Sequence, residues 1–138
     1  MHVQLALSLP AEDRLVPATR SAVAGFLLAA GVAGDLVDDV VLALDEACTN
    51  VLQHAFPEGG PGSYELLAEL RPGEVVIEVA DHGVGFDPMD QRSAGPLDLN
   101  GRGLDIMRRV MTSVDVESPR PGGGTRLRLR KRLAALDG

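Results

Sequence analysis

Four short stretches of this sequence carry polar residues in arrangements that could do chemistry. In the first, Asp45-Glu46-Ala47-Cys48-Thr49-Asn50, Glu46 and Asn50 stand four apart, and helical spacing puts both on one face, shared with His54. A carboxylate there can orient water or accept a proton, and a side-chain amide oxygen is a hard ligand that suits Mg2+ shared with phosphate oxygens. A solvated polar stripe on an amphipathic helix would read the same way, and nothing stands at metal-ligand spacing from His54. The second stretch is Asp81-His82-Gly83-Val84-Gly85-Phe86. Counting by twos from Val75 through Ile77 and Val79 brings Asp81 onto the apolar side of a strand, where a carboxylate needs a donor. An exocyclic amine such as that of adenine is one, and Gly83 and Gly85 let a ligand approach the backbone. An ordinary Asp-containing turn gives the same pattern.

The third stretch, Asn100-Gly101-Arg102-Gly103-Leu104, opens a helix, where backbone N–H groups and the helix dipole favour an anion. It does not follow a strand within a βαβ unit, so the dinucleotide fingerprint fails, and no GxxxxGK[ST] loop is present. The fourth is Gly122-Gly123-Gly124-Thr125. Thr125 shares the parity of Leu127 and Leu129, so its hydroxyl points inward, with Asp81 or a shared water as partner if the two strands are neighbours.

The elements that must hold these residues follow from periodicity. His2 to Pro10 alternates as a half-buried strand. Ala11 to Val32 places Leu15, Thr19, Ala22, Val23, Phe26, Leu27 and Ala30 at helical spacing, and a second helix runs from its cap at Asp35 until Pro57. Ser63 to Arg71 and Glu74 to Asp81 alternate around Pro72-Gly73 and predict a hairpin. Between Gly83 and Gly101 the pattern breaks, so a functional loop is expected there, followed by a helix over Gly103 to Thr112 and strands over Ser113 to Ser118 and Thr125 to Leu133. The order predicts an α+β fold, a two-layer sandwich with a mixed, mostly antiparallel sheet covered on one face by helices.

At 138 residues with 45% apolar content, the chain matches a single domain over 1–138 with one core. No run approaches the roughly 18 apolar residues of a membrane span, and the N-terminus has no leader pattern, so a cytoplasmic protein with no membrane contact is expected. A net charge of −7 argues against direct nucleic-acid binding. Acids crowd the first half and arginines the last quarter, a polarity that suits a protein partner or an anionic small ligand, or else a solvated face. Cys48 is alone and reads as a small core residue.

Taken in order, "DEACTNVLQH", "DHGVGF", "GRGL" and "GGGT" resemble the GHKL ATPase superfamily, specifically the small anti-sigma factor serine-protein kinases, over nearly the whole chain. The resemblance implies ATP or ADP and Mg2+ as cofactors. It puts Glu46 as general base, Asn50 on the metal, Asp81 on the adenine amino group with Gly83 and Gly85 shaping the pocket, Gly101, Arg102, Gly103 and Leu104 at the phosphates, and Thr125 near adenine. It also implies two protein partners, an RNA polymerase sigma factor and a STAS-domain anti-anti-sigma factor phosphorylated on serine or threonine, with a homodimer also possible and Arg14 and Arg20 of the first helix as contacts. Some relatives carry a lysine in the lid near the terminal phosphate, whereas the lone lysine here is Lys131, with Arg92 or Arg102 as candidate substitutes. A nucleotide-responsive binding module without kinase activity is therefore the alternative.

Overall fold

The computed structural model describes residues 2–54, 62–82, 97–117 and 123–133. Five strands, β1 (Val3–Pro10), β2 (Ser63–Arg71), β3 (Glu74–Asp81), β4 (Ser113–Glu117) and β5 (Arg126–Arg132), form one sheet in the order β1-β2-β3-β5-β4. All four described pairings are antiparallel, so the parallel pairing that a mixed sheet would contain does not occur among the described residues. Two of these pairs, β2–β3 and β4–β5, are joined without an intervening helix, the kind of connection that only antiparallel strands can use.

Three helices, α1 (Val16–Ala29), α2 (Gly34–His54) and α3 (Leu97–Val110), cover one face of the sheet. The alternation predicted for the strands supplies that face: Tyr64, Leu66, Ala68 and Leu70 of β2, Val75, Ile77 and Val79 of β3, and Leu127 and Leu129 of β5 are all buried. They meet Val40, Ala43, Leu44, Ala47 and Val51 of α2 and Met107 of α3 in one core. No helix among the described residues is long and apolar enough to cross a membrane.

Strand boundaries agree with the sequence pattern to within a residue, and helix boundaries differ more. The first helix was expected from Ala11, but Asp13–Leu15 forms a 3₁₀ turn and the α-helix starts at Val16 with Pro17 in its first turn, a place where proline lacks nothing the helix needs. Its core face is Thr19, Val23 and Leu27, while Ala22 is exposed. The third helix was expected from Gly103 and in fact begins at Leu97, so Gly101 and Gly103 lie within it and not ahead of it. Glycine lowers helix propensity by about 1 kcal/mol per residue, a penalty that packing of Leu104, Met107 and Met111 in the core outweighs.

The face without helices is tiled by charge. Glu69 accepts hydrogen bonds from Gln4 Nε2 (3.0 Å), Arg71 Nη2 (3.0 Å) and the His2 ring, and Arg130 donates to Glu74 Oε1 (2.9 Å). Val76, which pairs in register with Glu69 on one side and Arg130 on the other, is 1% exposed between these long side chains. The hydrogen bond from Gln4, then those from His2 and Arg71, hold the Glu69 carboxyl at about 2, with its burial acting in the opposite direction. A folded-state value below the ordinary 4.5 contributes stability that is complete above the unfolded value and lost as the pH falls through the folded one. In urea titrations, Glu69→Gln should therefore be less stable than wild type at pH 7. The gap should close as the pH drops from about 4.5 towards 2, and a gap independent of pH would contradict the assignment.

Candidate functional site

Helix α2 lies across β3 and β5 and places its polar pair at the end of that contact. Asn50 is buried at 4% exposure, and its Nδ2 has no hydrogen-bond partner among the described residues. Glu46, one turn earlier, is partly exposed, and burial first, then the neighbouring Asp45, raise its carboxyl above the ordinary value. Helix α3 packs against this pair through Gly103: a Cβ built there would stand 3.1 Å from Glu46 Oε1 and 3.7 Å from Asn50 Oδ1. Glu46, Asn50 and Gly103, read from two separate stretches, thus meet in one place.

A second group forms at the ends of β3 and β5. These strands are neighbours, as the parity argument for Thr125 required, and the Asp81 amide donates to the Thr125 carbonyl at 2.9 Å. Asp81 is 1% exposed and Thr125 3%, both on the helix-covered face in line with Ile77 and Val79 and with Leu127 and Leu129. Gly124 lies between them at φ +88°, and a Cβ on it would fall 2.0 Å from the Asp81 carbonyl oxygen. The sequence reading treated Gly124 as one of three turn glycines. The only signal that could have singled it out is its position next to an inward-facing threonine.

Of the remaining expected site residues, Gly101 and Arg102 lie on the backbone of α3, and Leu104, 7% exposed, is part of the core. Gly83, Gly85 and Arg92 lie outside the described residues. Lys131 is engaged far from Asn50 along both helices: its Nζ donates to Asp39 Oδ2 (2.9 Å) near the start of α2 and to the Val110 carbonyl at the end of α3. Arg14 pairs with Glu12 and Arg20 with Asp45.

Tyr64, directly opposite Asp81 in the β2–β3 register, is 2% exposed and sits under α2 beside Cys48. Its hydroxyl has no nitrogen or oxygen partner among the described residues, and the adjacent thiol is at best a weak one. Burial pushes the Cys48 thiol up to about 11, so it stays protonated and unreactive, the small core residue the sequence predicted.

The arrangement has the chemistry of a site that shares a cation with an anionic ligand. No cluster of three or more His, Cys, Asp or Glu residues that could hold a metal occurs among the described residues. A hard cation at Asn50 would therefore need oxygens from a ligand, and phosphate supplies them. The unpartnered Asn50 Nδ2 can donate to a phosphate oxygen, while the amide oxygen is the atom that suits a cation. A concavity of about 430 Å3, floored by Ala6, Ser8, Leu67 and Ala80, lies on the opposite face of β3 from Asp81 and is separate from this site.

Comparison with known proteins agrees with this geometry. Residues 9–131 match the histidine kinase-like ATPase domain family. Serine-protein kinase RsbW from Bacillus cereus and from Bacillus anthracis are each 32% identical, the match covering 82% of this chain and 76% of the relative. The solved RsbU and RsbW domains of Rv1364c from Mycobacterium tuberculosis superpose with a TM-score of 0.72 at 21% identity, over 95% of this chain and 32% of that longer one. The SiaB–SiaC complex from Pseudomonas aeruginosa has a TM-score of 0.63 at 17% identity over 91% of this chain and 88% of that one, a likeness of fold.

The two glycine environments predict opposite responses. Gly124→Ala should lower stability by about 2 kcal/mol or more in a denaturant titration, because it combines a strained φ with a backbone overlap. Gly25→Ala, inside α1 with nothing within 4 Å of the added carbon, should raise it by up to about 1 kcal/mol.

Proposed function

Because the chain belongs to the histidine kinase-like ATPase domain family, with serine-protein kinases of the RsbW type among its relatives, we propose that it is an ATP-dependent serine/threonine-protein kinase acting as an anti-sigma factor. It binds a sigma factor and phosphorylates a STAS-domain antagonist. The observation that carries this reading is the meeting of Glu46, a carboxylate whose pKa is raised, with buried Asn50 on one face of α2 and Gly103 of α3 against both.

In this reading Asp81 and Thr125 read the adenine from the ends of β3 and β5, with Gly83 and Gly85 shaping the pocket. Asn50 offers its amide oxygen to Mg2+, and the first two turns of α3, which carry Gly101, Arg102, Gly103 and Leu104, line the phosphates. The metal, when bound with the nucleotide, offsets charge on the phosphates being separated. Glu46 accepts the proton of the attacking serine or threonine hydroxyl, and a carboxyl raised above its ordinary value is a better base for that step. A phosphate added to the antagonist brings close to two negative charges, and the net charge of −7 on this chain then disfavours the interface. A cytoplasmic location, a single domain over 1–138, and contacts or dimerisation through the α1 side, where Arg14 and Arg20 lie, complete the proposal.

One observation favours the second reading, a nucleotide-responsive binding module without transfer. Lys131, the lone lysine, is held by Asp39 and the Val110 carbonyl, so the lysine that relatives place at the terminal phosphate has no counterpart among the described residues. Binding and transfer separate experimentally. Saturating MgADP, at about 100 times Kd, should add about 2.7 kcal/mol of stability, and Asn50→Ala and Asp81→Asn should each remove the rise in melting temperature. With γ-labelled ATP and candidate STAS partners, wild type should label a partner, while Glu46→Ala keeps the thermal shift and loses labelling by about a hundredfold or more. Binding without labelling of any partner selects the module, and no thermal shift in wild type refutes both readings.

A further inference from the structure

Gly103 lies in the second turn of α3 with no left-handed backbone angle, so its conformation is open to any residue. A glycine in that setting lowers helix propensity against alanine, and local backbone geometry gives no reason for it. The reason lies across the helix interface. The Cβ that alanine would add stands 3.1 Å from Glu46 Oε1, inside ordinary van der Waals contact, but 3.7 Å from Asn50 Oδ1, which is ordinary contact.

We propose that Gly103 is a positioning residue for the Glu46 carboxylate, its missing side chain letting α3 stand against α2 without displacing the base. This rests on the kinase reading above and differs from the phosphate-lining role that the resemblance gives this glycine. The two helices have little freedom to separate and absorb the crowding. Leu104, Met107 and Met111 anchor α3 in the core beside Leu44, Ala47 and Val51 of α2. At the far end of the pair Lys131 ties Asp39 of α2 to the Val110 carbonyl of α3. The part that yields is the free end of the Glu46 side chain, which is partly exposed and has somewhere to go. Asn50, at ordinary contact distance, keeps its place. An added methyl group therefore acts on proton transfer and spares metal and nucleotide binding. The carboxylate has to give by a few tenths of an ångström, and since misplacement by about 1 Å can cost on the order of a hundredfold in rate, a loss of about three- to tenfold follows.

The test is a double-mutant cycle on the full chain. Gly103→Ala should melt no lower than wild type, keep its MgADP Kd within about 1.5-fold, and transfer label to a STAS partner about three- to tenfold more slowly. In a Glu46→Asp background the shorter acid withdraws from the methyl group, so adding Gly103→Ala should slow transfer further by no more than about 1.5-fold. Crystals of nucleotide-free Gly103→Ala should show the Glu46 carboxylate moved and α3 in place. A Kd loss equal to the rate loss would instead assign Gly103 to the phosphates. An additive cycle, a lowered melting temperature, or a shifted α3 beside an unmoved carboxylate would each overturn the proposal. If wild type binds MgADP but labels nothing, the kinase reading falls, and the crystal comparison alone then decides the Gly103 contact.

Discussion

The 2.9 Å hydrogen bond from the Asp81 amide to the Thr125 carbonyl joins two strand ends that lie far apart in the chain, and the site is assembled around it. It exists because β3 pairs with β5 and not with β4, so α3 and the short edge strand lie between the two partners in sequence. The pairing carries a strict local condition. The chain entering β5 passes so close to β3 that position 124 has no room for a side chain and must adopt a positive φ, conditions that glycine alone meets at low cost. Once the strands are joined, parity turns Asp81 and Thr125 to the same face as Ile77 and Leu129, beneath α2.

A second constraint acts between helices. Because α2 and α3 approach through Gly103 at one end and are bridged by Lys131 at the other, their spacing is set at two places along their length. The Lys131 side chain is 16% exposed, and its ammonium donates to a carboxylate and to a helix-terminal carbonyl, hydrogen bonds of the charged kind. It also sits where the negative end of the α3 dipole favours a cation. In the sequence this lysine stands out only by its absence from the loop before α3. In the structure it fixes the helix that loop leads into.

How much could be read in advance follows from which interactions are local. The strands were legible because alternation is a local consequence of one covered face, and β2 and β3 fall on the residues the pattern marked. Glu46 and Asn50 were legible together because helical spacing is also local. The start of α3 was not, since Gly101 and Gly103 argue against a helix on propensity and only the core behind Leu104 and Met107 overrides them. Gly124 was hidden in a run of three glycines because its condition comes from β3, and nothing in the sequence marked Glu69, because two of its donors, Gln4 and His2, reach it from the N-terminal end of the chain. The resemblance of the four stretches to a known family joined them before any contact between them could be derived. The loop it relied on for Gly83 and Gly85 lies outside the described residues.

The fate of the arginines bears on where charge for a phosphate can come from. The basic last quarter of the sequence suits a protein partner or an anionic ligand, or else a solvated face. Its alternating residues on β5 face away from the helices, where Arg126 meets Glu117, Arg128 meets Glu78 and Arg130 meets Glu74. On α3, Arg109 meets Asp105. The sheet thus separates two kinds of electrostatics: paired charges in water on one face, and on the dry, helix-covered side the buried polar residues Asn50, Asp81 and Thr125. A triphosphate on the dry side cannot draw on the β5 arginines, which point to the opposite face. In the proposed reading its charge must be met by backbone N–H groups of α3, by a metal held at Asn50, and by whatever the loop before α3 supplies. That dependence makes the position of Asn50 matter more here than in a site with a lysine at hand.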